Sequence, residues 1–466
     1  MTGKKEHQLY KGTFKIIGFL FFFIMFFLAL YIIFFHRITS PNLNVILITI
    51  DALKASHLSI YGYDKKTSPT IDRLAQEGIL FLNAAAPAPA TIPSIASIMT
   101  SNYPSFHGAL SHGFYFPQEN VTLAEKLKEN KYLTAAFVGN FLLRKNSGLN
   151  KGFQIYDDTF PQEEKVRRNP ERIASSLTEA AIEWINKHHK KKFFLWLHYQ
   201  DPHGPYTPLY PYNERFDKEL YKANRQVKLL KVGDNSGRGG IPWYQSLNGE
   251  QDARFYISQY DGEIAFVDYY VGKLLDQIKT LNLEKKTLII LTSDHGEAMD
   301  NDHGFYFSHG NGLTEDQIWI PLILRYPGCP KKEIVDDVVS TIDIMPTILD
   351  LLGISAPPEI QGDNLLHKKR QLIFGEFHPP SEAQEFLIRL DRYKLIDKEG
   401  IKLFYNLQTD SNESMNSYDQ KSVVCLEMDK LLFNYIKAAK QAERKKIPYK
   451  PTKEEEKKLR SLGYIF

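Results

Sequence analysis

Two cysteines, Cys329 and Cys425, serve a chain of 466 residues. That is too few for a disulfide scaffold and excludes a cysteine-rich zinc site; whether the two pair is not legible from spacing. Charge of one sign is equally scarce, with 58 Lys and Arg against 55 Asp and Glu and a formal net charge of +3. No basic stripe is interleaved with aromatics, so nucleic acid is not an expected partner. Internal repeats are also lacking. What remains is an ordinary globular composition, 43% apolar and 24% charged, in a chain long enough for one large domain with appendages or for two domains.

One apolar run stands out. Ile16 to Phe35, "IIGFLFFFIMFFLALYIIFF", is twenty residues without a charge. As a helix rising about 1.5 Å per residue it matches the roughly 30 Å hydrocarbon core of a bilayer. Lys4, Lys5, Lys11 and Lys15 precede it and Arg37 alone follows closely. The run is too long for a signal-peptide core, and no small-x-small cleavage site follows it. The expectation is a single-pass membrane protein: residues 1–15 cytoplasmic, 16–35 a retained transmembrane anchor, and everything after them extracytoplasmic.

Beyond the spacer the pattern becomes periodic. "VILITI" (Val45–Ile50) is a continuous, β-branched apolar run ending sharply at Asp51, as a buried parallel strand does. Similar runs are Thr134–Val138, Phe193–His198, Thr287–Thr292 and Pro321–Tyr326. Helical periodicity lies between them over Thr70–Glu77, Ser94–Thr100, Thr122–Glu129, Glu171–Lys187 and Glu263–Thr280. This alternation predicts a doubly wound α/β sandwich on a mainly parallel sheet over residues 42–370. Pro205 to Asp252, rich in Tyr, Pro and Gly, breaks the rhythm and reads as a lid or binding loop. Residues 371–466 change to short alternating strands and a charged helical tail, read as a smaller α+β subdomain.

Ligands of such sheets sit beyond the carboxyl ends of the strands. The first strand ends in Asp51, "HYQDPHGPY" brings His198, Asp201 and His203, and "TSDHGE" brings Asp294 and His295. Each residue alone is an ordinary turn or cap residue. Acidic and imidazole groups from three strands at one edge make a metal site. For His57, His107 and His112 the bland reading as packing or surface residues holds, and Asp343 reads as a helix cap.

The blocks "NVILITIDALKASHLSIYGYDKKTSPTIDRLAQEGILFLNAAAPAPATIPSIASIMTSNYPSFHG", "LHYQDPHGPYTP", "LIILTSDHGEAMDNDHGFYFSHGNGLTEDQIWIPLILRYPG" and "STIDIMPTILDLLGI" resemble, in order and spacing, the sulfatase family of the alkaline phosphatase superfamily. "KLFYNLQTDSNESMN" and "LRSLGYI" resemble its C-terminal subdomain. The resemblance implies that Asp51, Asp294 and His295 hold one divalent metal ion and that Thr91 stands at the nucleophile position, where it also meets the metal. It places His203 on the ester and His309 at the leaving group. Asn140, His198 and Asp201 are the expected substrate contacts. A helix starting near Pro93 would turn its free N–H groups toward the same anion. A His ligand favours Mn²⁺ or Zn²⁺, with Ca²⁺ the alternative.

The chain departs from this pattern where sulfate chemistry is concentrated. The family has Cys or Ser at the start of its x-x-Pro-Ser-Arg motif and oxidises it to formylglycine; here the segment is Thr91-Ile92-Pro93-Ser94-Ile95, and oxidising Thr would give a ketone. Arg is replaced by Ile95, the second Asp of an Asp-Asp pair by Ala52, and the Lys and His of Gly-Lys-x-His by Asn140 and Leu142. Thr at this position resembles the membrane-bound phosphoethanolamine and glycerol-phosphate transferases of the superfamily, which form a phosphothreonine. The expectation is therefore a hydrolase or transferase acting on a phosphate ester, taken from lipid or cell-envelope glycan, through Thr91. Sulfate-ester hydrolysis without formylglycine is a second expectation. A sulfatase fold that only binds, with Thr91 reduced to a helix cap, is a third.

Overall fold

The computed structural model describes Met25 and residues 42–111, 115–216, 229–299, 303–367, 372–379 and 383–443. The expected anchor at 16–35, His112 and the terminal "LRSLGYI" lie outside these residues. Among the described residues no helix is long and apolar enough to cross a membrane.

Eight strands form one sheet: β1 (Asn44–Ile50), β2 (Ile79–Ala85), β3 (Leu133–Val138), β4 (Ile155–Asp157), β5 (Phe193–Tyr199), β6 (Thr287–Ser293), β7 (Leu322–Arg325) and β8 (Glu333–Ser340). Their order is β8-β2-β7-β6-β1-β5-β3-β4. Every neighbouring pair is parallel except those made by β7, which runs antiparallel to both β2 and β6.

Side chains of β1 alternate between two cores. Val45 and Leu47 enter one with Ile95, Leu127 and Ile348; Ile46, Ile48 and Ile50 enter the other with Ile71, Leu177 and Val271. Each face is thus closed by its own helices: α2 (Thr91–Thr100), α3 (Leu123–Glu129) and α6 (Ile344–Leu351) on the first, and α1 (Pro69–Gln76), α4 (Ala174–His188) and α5 (Ala253–Thr280) on the second. Burial on both faces is why β1, β5 and β6 are continuously apolar. The sandwich is doubly wound and α/β.

A second, antiparallel sheet, β9 (Leu372–Phe377), β10 (Glu385–Leu390), β11 (Tyr393–Lys398) and β12 (Ile401–Asn406), carries α7 (Val423–Glu443) on one side. It meets the larger sheet around Tyr103 and Ile342, which share its apolar cluster.

Several elements differ from the periodicity. β2, β4 and β8, unread in the sequence, widen the sheet at both edges. α5 begins at Ala253 and not at Glu263. Its early turns are polar, and Gly262 has no Cβ to strike the Tyr212 carbonyl, 2.7 Å from where one would stand. Both cysteines are free thiols.

Candidate active site

The carboxyl ends of β1 and β6 lie side by side, Ile50 opposite Ser293, and put Asp51, Asp294 and His295 on one edge. All three are fully buried. Asp51 spends Oδ2 on two donors, Asn140 Nδ2 at 2.5 Å and His198 Nε2 at 3.2 Å. Asp294 spends Oδ1 on the backbone N–H groups of Ala52 (3.2 Å) and His295 (2.9 Å). His295 donates from Nδ1 to the Gly296 carbonyl at 2.9 Å, because a carbonyl can only accept; its Nε2 keeps a lone pair.

Three donor atoms are left over, and they face one another. Asp51 Oδ1 is 3.5 Å and Asp294 Oδ2 3.6 Å from His295 Nε2, and neither oxygen has a hydrogen-bond partner. A buried oxygen without a donor costs about 1–3 kcal/mol, so two converging on one lone pair need a cation. The residues present fit a divalent metal.

Thr91 completes the edge. It is the first residue of α2, and the N-cap position belongs to Ala90, whose methyl group cannot cap. Thr91 Oγ1 lies 3.4 Å from His295 Nε2, fully buried. The cap reading of Thr91 thereby fails. The N–H groups of Thr91 and Ile92 precede the first intrahelical bond, made by Ser94 N to Ala90 O, and give this end the positive character of a helix start.

Two further imidazoles face the same space. The ring of His309 lies 4.3 Å from that of His295 and 5.0 Å from that of His203. His309 Nδ1 meets Glu297 Oε2 at 2.6 Å, and Tyr206 donates to the other oxygen of Glu297 at 2.7 Å. Burial alone would lower His309, but the Glu297 carboxylate outweighs it and raises the imidazole above its ordinary range. His203 has its Nδ1–H committed to the Gly204 carbonyl at 2.8 Å. Burial, helped by His309 and Arg167, pushes it down to about 4 against the pull of Asp51. One imidazole is biased toward its protonated form and its neighbour toward the neutral one, the division of labour of an acid and a base.

Burial by itself would raise Asp51, yet the imidazoles of His203, His198 and His295 hold it below the carboxylate range. His198 is oriented from behind: Trp196 Nε1 donates to Thr49 Oγ1 at 2.9 Å, and Thr49 Oγ1 meets His198 Nδ1 at 2.8 Å. Asn140 is fixed likewise, its Oδ1 accepting from Leu142 N at 2.8 Å. Asn140 and His198, expected on the substrate, are thus both on Asp51.

Asp201 takes a different place from the one expected. Its Oδ2 accepts from Ala174 N at 2.8 Å, closing the start of α4, and its carboxyl is hydrogen-bonded to Glu263. His57 pairs with Asp261 at 2.8 Å and His107 with Ser97 at 2.9 Å, both as packing residues.

The sequence reasoning missed Glu297, Tyr206 and Thr49. Each left a signal: Glu297 follows His295 by two residues, Tyr206 ends "PHGPY", and Thr49 is the polar residue in an apolar strand. Ile95 and Leu142, where the resemblance led one to expect an Arg and a His, lie inside a hydrophobic cluster, and Asn140, at the expected Lys, is bonded to Asp51.

A doubly wound sheet with a buried carboxylate–imidazole clasp at its carboxyl edge defines an ester hydrolase of the alkaline phosphatase superfamily. The Sulfatase family model matches residues 43–354, and the model of the N-sulphoglucosamine sulphohydrolase C-terminal region matches 302–439. The chain belongs to the sulfatase family. It is 27% identical to a sulfatase of Formosa agariphila over 80% of this chain and 82% of that one. Arylsulfatase K of Bos taurus is 24% identical over 84% and 81%. Among solved structures, the phosphonate monoester hydrolase of Agrobacterium radiobacter superposes with a TM-score of 0.68 at 20% identity, over 87% of this chain and 96% of that one. A 2-O GAG sulfatase gives 0.68 at 22%, over 88% and 95%.

Proposed function

We propose that this chain cleaves or transfers a phosphate ester through a covalent intermediate on Thr91, with one divalent cation held by Asp51, Asp294 and His295. The observation that carries the reading is the position of Thr91 Oγ1, 3.4 Å from His295 Nε2 and one residue inside the helix cap at Ala90. Bound there, the cation would act as a Lewis acid on the oxygens of the reacting group. The donor set of two carboxylates and one imidazole, with Ala52 contributing no oxygen, favours Mn²⁺ or Zn²⁺ over Ca²⁺.

The chain's own residues supply the rest. Thr91 Oγ1 forms a bond to phosphorus as the bond to the leaving alcohol breaks. Neutral His203, with Nδ1–H committed to the Gly204 carbonyl, is assigned as the base for the Thr91 proton; this role suits it better than an ester contact, which would need its protonated form. His309, whose protonated form the Glu297 carboxylate favours, gives its proton to the departing oxygen. The start of α2 stabilises negative charge on the transferred group. Water or a second alcohol then displaces Thr91, and the choice between them separates hydrolase from transferase.

The remaining parts of the proposal are the anchor at 16–35, an outward-facing catalytic domain, and a lipid or cell-envelope glycan as ester donor. Recovery of the full chain in a salt-washed membrane fraction, with the ectodomain open to external protease, is the expected result; a soluble chain would refute the anchor.

A second reading, sulfate-ester hydrolysis without formylglycine, is favoured by the sulfatase names of the relatives. Aryl sulfate, phosphate monoester and phosphodiester, tested with wild type and Thr91→Ala, separate the two. Phosphodiester or monoester turnover lost in Thr91→Ala by about 10⁴-fold or more, with a phosphorylated Thr91 peptide, supports the first. Aryl sulfate turnover surviving Thr91→Ala supports the second, and no turnover with full metal uptake would reduce the protein to a binding module.

A further inference from the structure

A second group of metal-ligating side chains lies where the loop carrying His309 meets the smaller sheet. His303 sits six residues before His309, Asp316 is the second residue of the short helix Glu315–Ile318, and Glu413 follows β12. One donor atom from each lies within 4.8 Å of the other two. The two nitrogens of His303 stand 3.4 Å from Asp316 Oδ1 and 3.9 Å from Glu413 Oε2.

The nearby positive charges are largely committed elsewhere. Lys394 Nζ, fully buried, is 2.7 Å from Glu413 Oε1 and 3.0 Å from Glu315 Oε1, and Arg389 is 2.9 Å from Glu315 Oε2. Asp316 is left over. It is 8% exposed, and neither carboxylate oxygen accepts a well-formed hydrogen bond. His303 and Thr314 approach its oxygens loosely, and Lys54 acts on it as a neighbouring charge. Open oxygens of buried carboxylates beside an imidazole mark the Asp51–Asp294–His295 edge as well, there one from each of two residues and here both from Asp316, and two carboxylates with one His again make a donor set for Mn²⁺ or Zn²⁺. The His303 side chain is 27% exposed, which leaves a route in from solvent.

We propose that His303, Asp316 and Glu413 form a second divalent-cation site, which ties the His309 loop to the smaller sheet. This rests on none of the chemistry proposed for Thr91. The competing account is a protonated His303 bridging the two carboxylates with no metal.

The test is the number of Mn²⁺ ions bound per full-length chain, measured by equilibrium dialysis with elemental analysis. Wild type is expected to hold two, Asp294→Asn one, Asp316→Asn one, and the double variant none. His303→Gln, a change at the surface that leaves the buried carboxylates in place, is expected to match Asp316→Asn and guards against a misfolded variant. A single Mn²⁺ in wild type, no Mn²⁺ in Asp294→Asn, or two in both His303→Gln and Asp316→Asn would overturn the proposal in favour of the imidazolium bridge.

Discussion

Two clusters of this protein are built from the same parts, two carboxylates and a histidine each, and they come to different ends. At the junction with the smaller sheet, Glu376 Oε2 accepts from Ser105 N (2.8 Å), Ser105 Oγ (2.5 Å) and His378 Nε2 (2.7 Å), while Tyr435 donates to Oε1. Glu443 takes Ser105 Oγ as well, at 2.8 Å. At the edge of the large sheet, Asp51, Asp294 and His295 each commit one atom to the protein and leave one open. Residue type does not distinguish a metal site from a structural knot. The distinction is what remains after the neighbours have been served: His378 Nδ1 alone in the first cluster, against two carboxylate oxygens facing an imidazole nitrogen in the second.

The comparison breaks most visibly when one carboxylate of each cluster is made an amide. Asp294→Asn is expected to abolish tight Mn²⁺ or Zn²⁺ binding at this edge and with it ester turnover, by at least about 10³-fold, while the fold survives. Glu376→Gln is expected to keep metal and turnover and to lose about 1–3 kcal/mol of stability, because a buried acceptor is replaced among its donors. Metal titration by calorimetry and a denaturant unfolding curve on both variants decide the matter; metal loss in Glu376→Gln would erase the contrast.

The residues behind the clasp sharpen it by a smaller amount. Asn140 and His198 both aim Asp51 through Oδ2, leaving Oδ1 for the cation. Such supporting partners tune metal affinity by roughly 10–100-fold. Asn140→Ala is accordingly expected to raise the metal Kd by about that factor with kcat recovered at saturating metal. An unchanged Kd would mean that Asn140 belongs to the substrate after all.

How much of this was legible in the sequence follows from what a strand and a turn display. Val45–Ile50, Phe193–His198 and Thr287–Thr292 are covered on both faces, so their apolar runs identify them and their ends deliver Asp51, His198 and Asp294. Glu333–Ser340 is an edge strand whose first residues face solvent, so "EIVDDVVS" carries no apolar run to read. A helix starting near Pro93 was legible, but not that its first turn begins at Thr91, with Ala90 in the capping position. The roles of Asn140, His198 and Asp201 were hidden for another reason. They depend on register across the sheet, Thr49 standing opposite His198, and on which carboxylate a helix of 28 residues brings against Asp201.

That last contact sets up the smallest expected effect. Asp201, Glu263 and Glu171 are three carboxyls gathered near the turn that carries His203. Burial pushes Asp201 up to about 6, and burial with the neighbouring carboxylates pushes Glu171 up to about 8; Glu263 is raised for the same reasons. Raised carboxyls are favoured in the protonated form by the fold. Their contribution is therefore complete below the unfolded value of about 4 and is lost as pH rises through the folded values, between about 6 and 8. Each carboxyl that ionises in this window costs at most about 1.4 kcal/mol per pH unit. Glu263→Gln removes one charge and keeps both an acceptor for Thr207 N, now 2.8 Å from Glu263 Oε1, and a donor for Asp201. With metal chelated in both proteins, the wild type is expected to lose stability from pH 5 to pH 8 more steeply than Glu263→Gln, read from unfolding midpoints at each pH. Parallel profiles would mean that the three carboxyls share no proton, and that the turn before His203 is held by its hydrogen bonds to Ala174 and Thr207 alone.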